Sequence, residues 1–336
     1  MGSGPARLAA AWWPARKSRR KRAKMCRSRS ARTGLLRKKI SRNLRGIVAI
    51  SAIAINTVVW FCPIMVLAML KLLVPSRSFH RIMARWIMAM GENWVSWNAV
   101  ILSLRHSDRL DVRGIEGLNR QEWYLVIANH QTWVDIILLQ VILNRRIPFL
   151  KFFIKQEMIW FPFLGLVWWA MDMPFMKRYS KSYLAKHPEK KGQDLEATRS
   201  ACRKFQGTPT TVINFIEGTR FTLAKKIKRN SQFQYLLPPR AGGIALALTS
   251  MGSMFNAILD ITLVYPKGVA HFWDLCCGDF DDVIIKINKR PVERWMLEGD
   301  YENDREFRSR FHQWLTQVWQ EKDRQIGSLV RESAAS

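Results

Sequence analysis

The chain has 336 residues, 48% of them hydrophobic, with a formal charge of +28 and five cysteines. That length suffices for one large α/β domain plus a membrane element, and the apolar fraction can fill a core. The cysteines, at 26, 62, 202, 276 and 277, show neither a disulfide framework nor zinc spacing. No Gly-x-Ser-x-Gly elbow, phosphate P-loop or His-Glu-x-x-His pair appears, and no internal repeat, which disfavours a serine hydrolase, an NTPase, a zinc hydrolase and a solenoid.

In chain order, residues 1–45 come first, with 16 Lys or Arg and no acid. This composition predicts a disordered basic arm that meets polyanions, either RNA or anionic lipid head groups. Residues 46–74 are almost wholly apolar, Lys71 being the only charge. They are long enough for a bilayer core of roughly 30 Å, and too long, without a small-residue cleavage site, for a signal peptide. A fully buried core helix is the competing reading. The positive arm belongs on the cytosolic side, so one full crossing would put everything after it outside. Two solutions exist. The chain can bend back near Pro63, or residues 79–104 can form a second membrane helix. The latter stretch sets Arg81, Arg85 and Glu92 beside Ile82, Trp86, Met90, Trp94 and Trp97, an interfacial rather than spanning mixture. The preferred expectation is a helical motif over 46–104, embedded from the cytosolic side and turning near Pro63.

An α/β domain is expected over 105–325, a mixed sheet flanked by helices, followed by a flexible tail over 326–336. Residues 123–128 form a short apolar, aromatic and β-branched run, the pattern of a core strand. Residues 136–143 read as a helix with Thr132 placed to cap it. Between them stand Asn129-His130-Gln131-Thr132-Trp133-Val134-Asp135. An imidazole beside a carboxylate is a general base with a fixed tautomer. Positions i and i+5 lie roughly 140° apart on an ideal helix, so the two meet only if His130 is in the turn and Asp135 in the first helical turn. The bland alternative is a capping box, Thr132-x-x-Asp135, beside a structural histidine.

A strand over 210–216 runs into Glu217-Gly218-Thr219-Arg220, where Gly218 permits a tight turn and Arg220 offers a fork for phosphate oxygens. Residues 171–176 give a third apolar run, ending in Lys177-Arg178. Three such runs, each followed by polar groups, predict one site at one sheet edge. Residues 151–169 read mainly as core, 193–205 as an amphipathic helix and 224–231 as a basic loop. A helix starts at 243–248, strands follow at 259–265 and 283–287, and 307–319 is a helix docked through Phe307, Phe311, Trp314, Leu315 and Val318.

Taken together, Asn129-His130-x-x-x-x-Asp135, Phe175-x-x-Arg178 and Phe215 to Arg220 resemble the first three ordered blocks of the glycerolipid acyltransferases. Within them the chain is most similar to the 1-acyl-sn-glycerol-3-phosphate (lysophosphatidate) branch, in the variety related to lysocardiolipin acyltransferases and their bacterial relatives. Lys155, Pro162, Gly165, Leu237-Pro238-Pro239-Arg240 and Asp260-Ile261-Thr262-x-x-Tyr265 fit that variety. The resemblance covers roughly residues 85–325. It departs at the usual fourth block, a Val-Pro-hydrophobic strand, which 259–266 replaces.

The resemblance implies His130 and Asp135 as the catalytic pair. Arg178, Glu217, Gly218, Thr219 and Arg220 would form the acceptor's phosphate site, with Glu217 orienting it rather than acting as base. It implies direct acyl transfer with no metal and no cofactor, with acyl-CoA or acyl-carrier protein as co-substrate and a lysophospholipid as acceptor. Membrane phospholipids would surround the protein, its catalytic domain facing the cytoplasm, at a bacterial inner membrane. Two other readings compete. A membrane-tethered RNA-binding protein would keep salt-dependent RNA affinity without its arm, yet no RNA-binding motif is present. An inert lipid-binding scaffold would have no need of both His130 and Asp135.

Overall fold

A computed structural model of the protein describes residues 13–104, 107–176, 209–301 and 303–335, with side chains from residue 39 onward apart from positions 246 and 250. Helix α1 (Trp13–Leu73) is followed by α2 (Arg77–Ile101). Its backbone is helical from Trp13, where the sequence reading expects no regular structure until about residue 45. Ala, Arg, Lys and Leu are strong helix formers, and a helix nucleated in the apolar segment propagates through them. The Lys39–Leu73 portion is long and apolar enough to cross a membrane.

α1 runs straight through Pro63, so the expected turn there is corrected: the chain reverses at Val74–Ser76, with Ser76 Oγ accepting the Phe79 N–H at 3.4 Å. Packing offsets the hydrogen bond that Pro63 lacks, since Ile64 is buried and Phe61 meets the Phe163 ring edge-on at 5.1 Å. The two helices are stitched by polar pairs. Asn56 Nδ2 donates to Trp94 O and Asn98 Oδ1, and Trp94 Nε1 donates to Thr57 Oγ1.

The domain follows in the order β1 (Leu110–Arg113), β2 (Tyr124–Ala128), α3 (Val134–Leu143), β3 (Leu150–Phe152), β4 (Ile154–Lys155), α4 (Leu164–Ala170) and β5 (Phe175–Met176). After the next described residue come β6 (Thr211–Phe215), α5 (Leu223–Lys228), α6 (Ala241–Met251), β7 (Ala257–Val264), α7 (Phe272–Cys276), β8 (Val283–Arg290) and α8 (Arg305–Ala335). The main sheet has the order β1-β8-β7-β2-β6-β3, parallel throughout except where β8 runs against β7. β2 sits between β6 and β7, with Ala128 level with Phe215 and Ile261. The turns leaving β2, β6 and β7 therefore share one edge, where open α/β sheets bind ligands.

Strand alternation sorts β2 between two cores. Tyr124, Val126 and Ala128 face α3 and α7, while Leu125 and Ile127 face α6 and α8. α8 is docked as its apolar stripe predicts, with Phe311, Leu315 and Trp319 fully buried. It also buries a charge: Lys322 Nζ lies 2.6 Å from Asp260 Oδ1 and donates to Ile261 O.

Four further expectations need correction. The tail expected to be flexible over 326–336 is helical as far as Ala335, with Ile326 and Leu329 buried against the sheet's second core. The run 171–176 yields only the short β5, which pairs with β4 in a separate two-stranded sheet and not in the main one. Residues 151–169 are not chiefly core, because Trp160 is 86% exposed and Phe161, Phe163, Leu166 and Trp169 are exposed beside α1. The stretch 224–231 is no loop, since Thr222 accepts the Lys225 N–H and caps α5. The helix expected at 193–205 lies outside the described residues.

Candidate active site

The β2–α3 turn brings His130 and Asp135 together, as their spacing requires. His130 Nδ1 lies 2.8 Å from Asp135 Oδ2. A carboxylate only accepts, so this contact keeps the ring proton on Nδ1 and leaves Nε2 bare to take another. Asp135 is fully buried but well supplied with donors. Its Oδ2 also accepts the N–H groups of Gln131 (2.6 Å) and Thr132 (3.0 Å), and its Oδ1 accepts the Tyr265 hydroxyl at 2.5 Å. The bond to Thr132 N–H is half of a capping box, so the bland reading is also realised; one carboxylate does both. Thr132 Oγ1 is otherwise engaged, donating to Ala270 O.

The imidazole stacks on Phe215, ring centroids 4.1 Å apart, which fixes its plane. Asn129 ties the turn to β7 by bonding Leu263 through both its amide groups.

Glu217 is fully buried and bridges two loops: its Oε1 accepts the His130 N–H and its Oε2 the Leu237 N–H, each at 3.1 Å. Burial pushes its carboxyl up to about 7, against the pull of those two donors. It holds the His130 backbone rather than touching the imidazole. Phe221 N–H closes the turn on His130 O at 2.7 Å.

Gly218 has φ +67, a conformation that favours glycine, and a Cβ there would sit 3.0 Å from Arg240 Cδ. Arg240 thus lies across the turn. Thr219 Oγ1 accepts from Lys225 Nζ at 2.8 Å, and Arg229 donates to Glu217 O. Arg220 reaches outward, its guanidinium 5.2 Å from the Trp133 ring centre. Burial, and to a lesser extent the neighbouring Arg240, push the Arg229 guanidinium below its ordinary pKa. Four cations therefore surround Gly218 and Thr219, a setting for an anion.

Sequence reading gathered His130, Asp135, Glu217, Gly218, Thr219 and Arg220 at one edge. Arg178 lies outside the described residues. Tyr265, Phe215, Lys225, Arg229 and Arg240 were not assigned to the site. The basic stretch 224–231, read as a loop, was the signal for Lys225 and Arg229, while Arg240 and Tyr265 stand in the motifs that fit the family variety. A groove of about 800 Å³ lies at the other end of α3, lined by Trp97, Ile142 and Arg145 among others, away from His130. Among the described residues no group of three or more His, Cys, Asp or Glu could hold a metal ion.

An oriented His–Asp pair at the carboxyl edge of a mixed sheet, beside a cationic glycine turn, is an arrangement able to perform base-assisted chemistry on an anion. Residues 109–266, a little under half of the chain, match the family model described as Acyltransferase. Curated relatives include mouse (Mus musculus) 1-acyl-sn-glycerol-3-phosphate acyltransferase epsilon, 28% identical over 160 residues, 43% of this chain and 41% of that protein. The human (Homo sapiens) delta form is 25% identical over 218 residues, 59% of this chain and 51% of that protein. The chain spans about half the length, or less, of these relatives. A crystal structure of the 1-acyl-sn-glycerophosphate (LPA) acyltransferase PlsC from Thermotoga maritima overlaps with a TM-score of 0.48 at 18% identity, over 85% of this chain and 98% of that one.

Proposed function

We propose that the protein transfers a fatty acyl group from an acyl thioester to the free hydroxyl of a lysophosphatidate-like acceptor at a membrane. The observation that carries this reading is the 2.8 Å His130–Asp135 contact, set beside the cationic turn at Gly218.

His130 Nε2 takes the proton of the acceptor hydroxyl while Asp135 steadies the imidazolium that forms. The acceptor oxygen attacks the thioester carbonyl. As the new C–O bond is kept and the C–S bond breaks, His130 returns its proton to the leaving thiolate. Protons balance, and neither a metal nor a covalent acyl-enzyme is needed. Arg220, Lys225, Arg229 and Arg240 hold the acceptor's phosphate, with Arg178 proposed to join them. The curated relatives' names support a 1-acylglycerol-3-phosphate acceptor; acyl-CoA and acyl-carrier protein remain the two donor classes for trial. The catalytic domain faces the compartment that holds the thioester, the cytosol.

The test is acyl transfer by the purified full chain in vesicles. His130→Ala should lower turnover by roughly 10²–10⁴-fold with folding unchanged. Near-wild-type turnover with chemistry limiting would remove His130 from the reaction. Arg220→Ala should raise the acceptor KM more than the donor KM, by roughly 10-fold or more. A rise in donor KM instead would assign the cationic turn to the other substrate.

A further inference from the structure

Beside the cationic turn, α5 exposes two large apolar side chains, Leu223 at 66% and Ile227 at 72%. They stand at i and i+4 and so share one helix face. The helix is only six residues long, yet it is held firmly. Thr222 caps it, Lys225 Nζ bonds Thr219 and Arg220 O, and Lys226 Nζ bonds Gln234 O. Its apolar pair therefore points outward from a fixed base rimmed by Lys225, Lys226 and Lys228. Exposed Trp133 stands next to it under Arg220. Exposed leucine and isoleucine between lysines, with a tryptophan at the base, is the composition of interfacial membrane segments.

A chain of contacts links this rim to the apolar α1. A Cβ on Gly46 of α1 would lie 3.0 Å from the Trp273 ring of α7. The loop before α7 accepts the Thr132 hydroxyl at Ala270 O, Trp133 is the next residue, Arg220 stacks on it, and Phe221 bonds His130 O. Phe272 and Trp273 are exposed along that path.

We infer that α5 and Trp133 form a second membrane contact, separate from α1, which seats the rim of the site in an anionic leaflet. Leu223, Ile227 and Trp133 enter the head-group boundary, and the exposed Lys228 pairs with lipid phosphates. The cationic turn then meets an acceptor at head-group depth without lifting it out of the bilayer. An acidic carrier protein would suit the lysines but would leave the two apolar tips without a matching environment. The contact does not depend on which group the site transfers.

The test uses the full chain reconstituted in vesicles of phosphatidylcholine mixed with phosphatidylglycerol, compared with phosphatidylcholine alone. A fluorophore is placed at Ile227→Cys, or at the exposed Arg294→Cys as control, in a chain whose native cysteines are alanine. Lipids brominated just below the head group should quench the label at 227 roughly threefold more than at 294, and more so in the anionic mixture. Hydrogen exchange over 222–229 gives a label-free reading on the native chain, so a misfolded cysteine-free background does not decide the matter. Exchange there should slow several-fold in the anionic vesicles, and Leu223→Ser/Ile227→Ser should abolish the slowing. Equal quenching at 227 and 294 with unchanged exchange would overturn the inference. So would protection of α5 that appears only when acidic acyl-carrier protein is added.

Discussion

At the scale of single residues, His130 owes its setting to partners drawn from distant parts of the chain. The Tyr265 hydroxyl donates to Asp135 Oδ1, and burial beside that carboxylate pushes the phenol well above its ordinary pKa, so it stays a donor at every working pH. Removing it leaves the carboxylate less satisfied and its grip on the imidazole proton stronger. Tyr265→Phe should therefore move the acid limb of the pH–activity profile upward by about one pH unit, for a charged hydrogen bond of about 1.5 kcal/mol. A purely structural role would lower stability and leave the limb in place. Glu217 offers a second pH signature. Its carboxyl stands at about 7 against an ordinary 4.5, so between those values the folded protein holds a proton that the unfolded chain has released. Stability is then greatest below about pH 4.5, falls as pH rises through about 7, and is flat above, a loss of up to about 3 kcal/mol. In Glu217→Gln that slope should disappear from the thermal midpoint measured between about pH 5 and about pH 8. One mismatched hydrogen bond offsets the variant at every pH, so the slope is the readout. An unchanged slope would assign the pH dependence elsewhere.

Between elements, α8 does more than cover the sheet. Trp319 Nε1 donates to Leu237 O, and Asp323 accepts the Gln234 and Tyr235 N–H groups, so α8 fixes the loop that Glu217 ties to His130. Lys322 binds it to β7 through buried Asp260, which Arg290 also contacts at 3.0 Å. Lys322→Met keeps the stem but takes from buried Asp260 its fully buried partner, leaving it Arg290. It should cost about 3–5 kcal/mol in chemical unfolding, and Lys322→Met/Asp260→Asn should recover part of that. No recovery in the double variant would mean that packing, not charge, holds α8. These links explain what sequence could and could not reveal. His130 and Asp135 are five residues apart, so a strand followed by a helix was enough to place them. β2, β6, β7, β8 and α8 were legible because apolar period and burial agree. Tyr265 meets Asp135 across 130 positions and Glu217 meets His130 across 87, and no local pattern encodes such pairs. β5 was misjudged because a short apolar run does not reveal which sheet it joins. The apolar face of 151–169 was misjudged because an exposed apolar side chain has the same composition as one facing a core.

Over the whole molecule, the apolar portion of α1, Lys39–Leu73, is tied to the domain near both of its ends. Arg42 pairs with Asp274 and Asp279 near one end, and Lys71 pairs with Asp172 at 2.6 Å near the other. Twenty-nine helical steps separate residues 42 and 71, a rise of about 44 Å, more than the roughly 30 Å hydrocarbon core. A helix crossing the bilayer would need the same domain on both of its faces. The arrangement therefore favours a helix lying in one leaflet, its outer face, with Ile47, Val58, Val66 and Met69 exposed, set in lipid. This differs from a spanning helix in one measurable way: the start of the apolar stretch, the Val74–Ser76 turn and the domain all lie on one side. Single cysteines at Ser41, Ser76 and Arg294, in a chain lacking the native cysteines, should all resist an impermeant thiol reagent on sealed cells and react once the membrane is opened. On the proposed reading, the basic residues 1–45 and a cytosolic thioester donor make that side the interior. Labelling at Ser76 alone would mean that α1 and α2 both cross, and that the Lys71–Asp172 pair breaks in the membrane. Labelling at Arg294 would put the domain outside and remove the cytosolic donor from the proposed reaction.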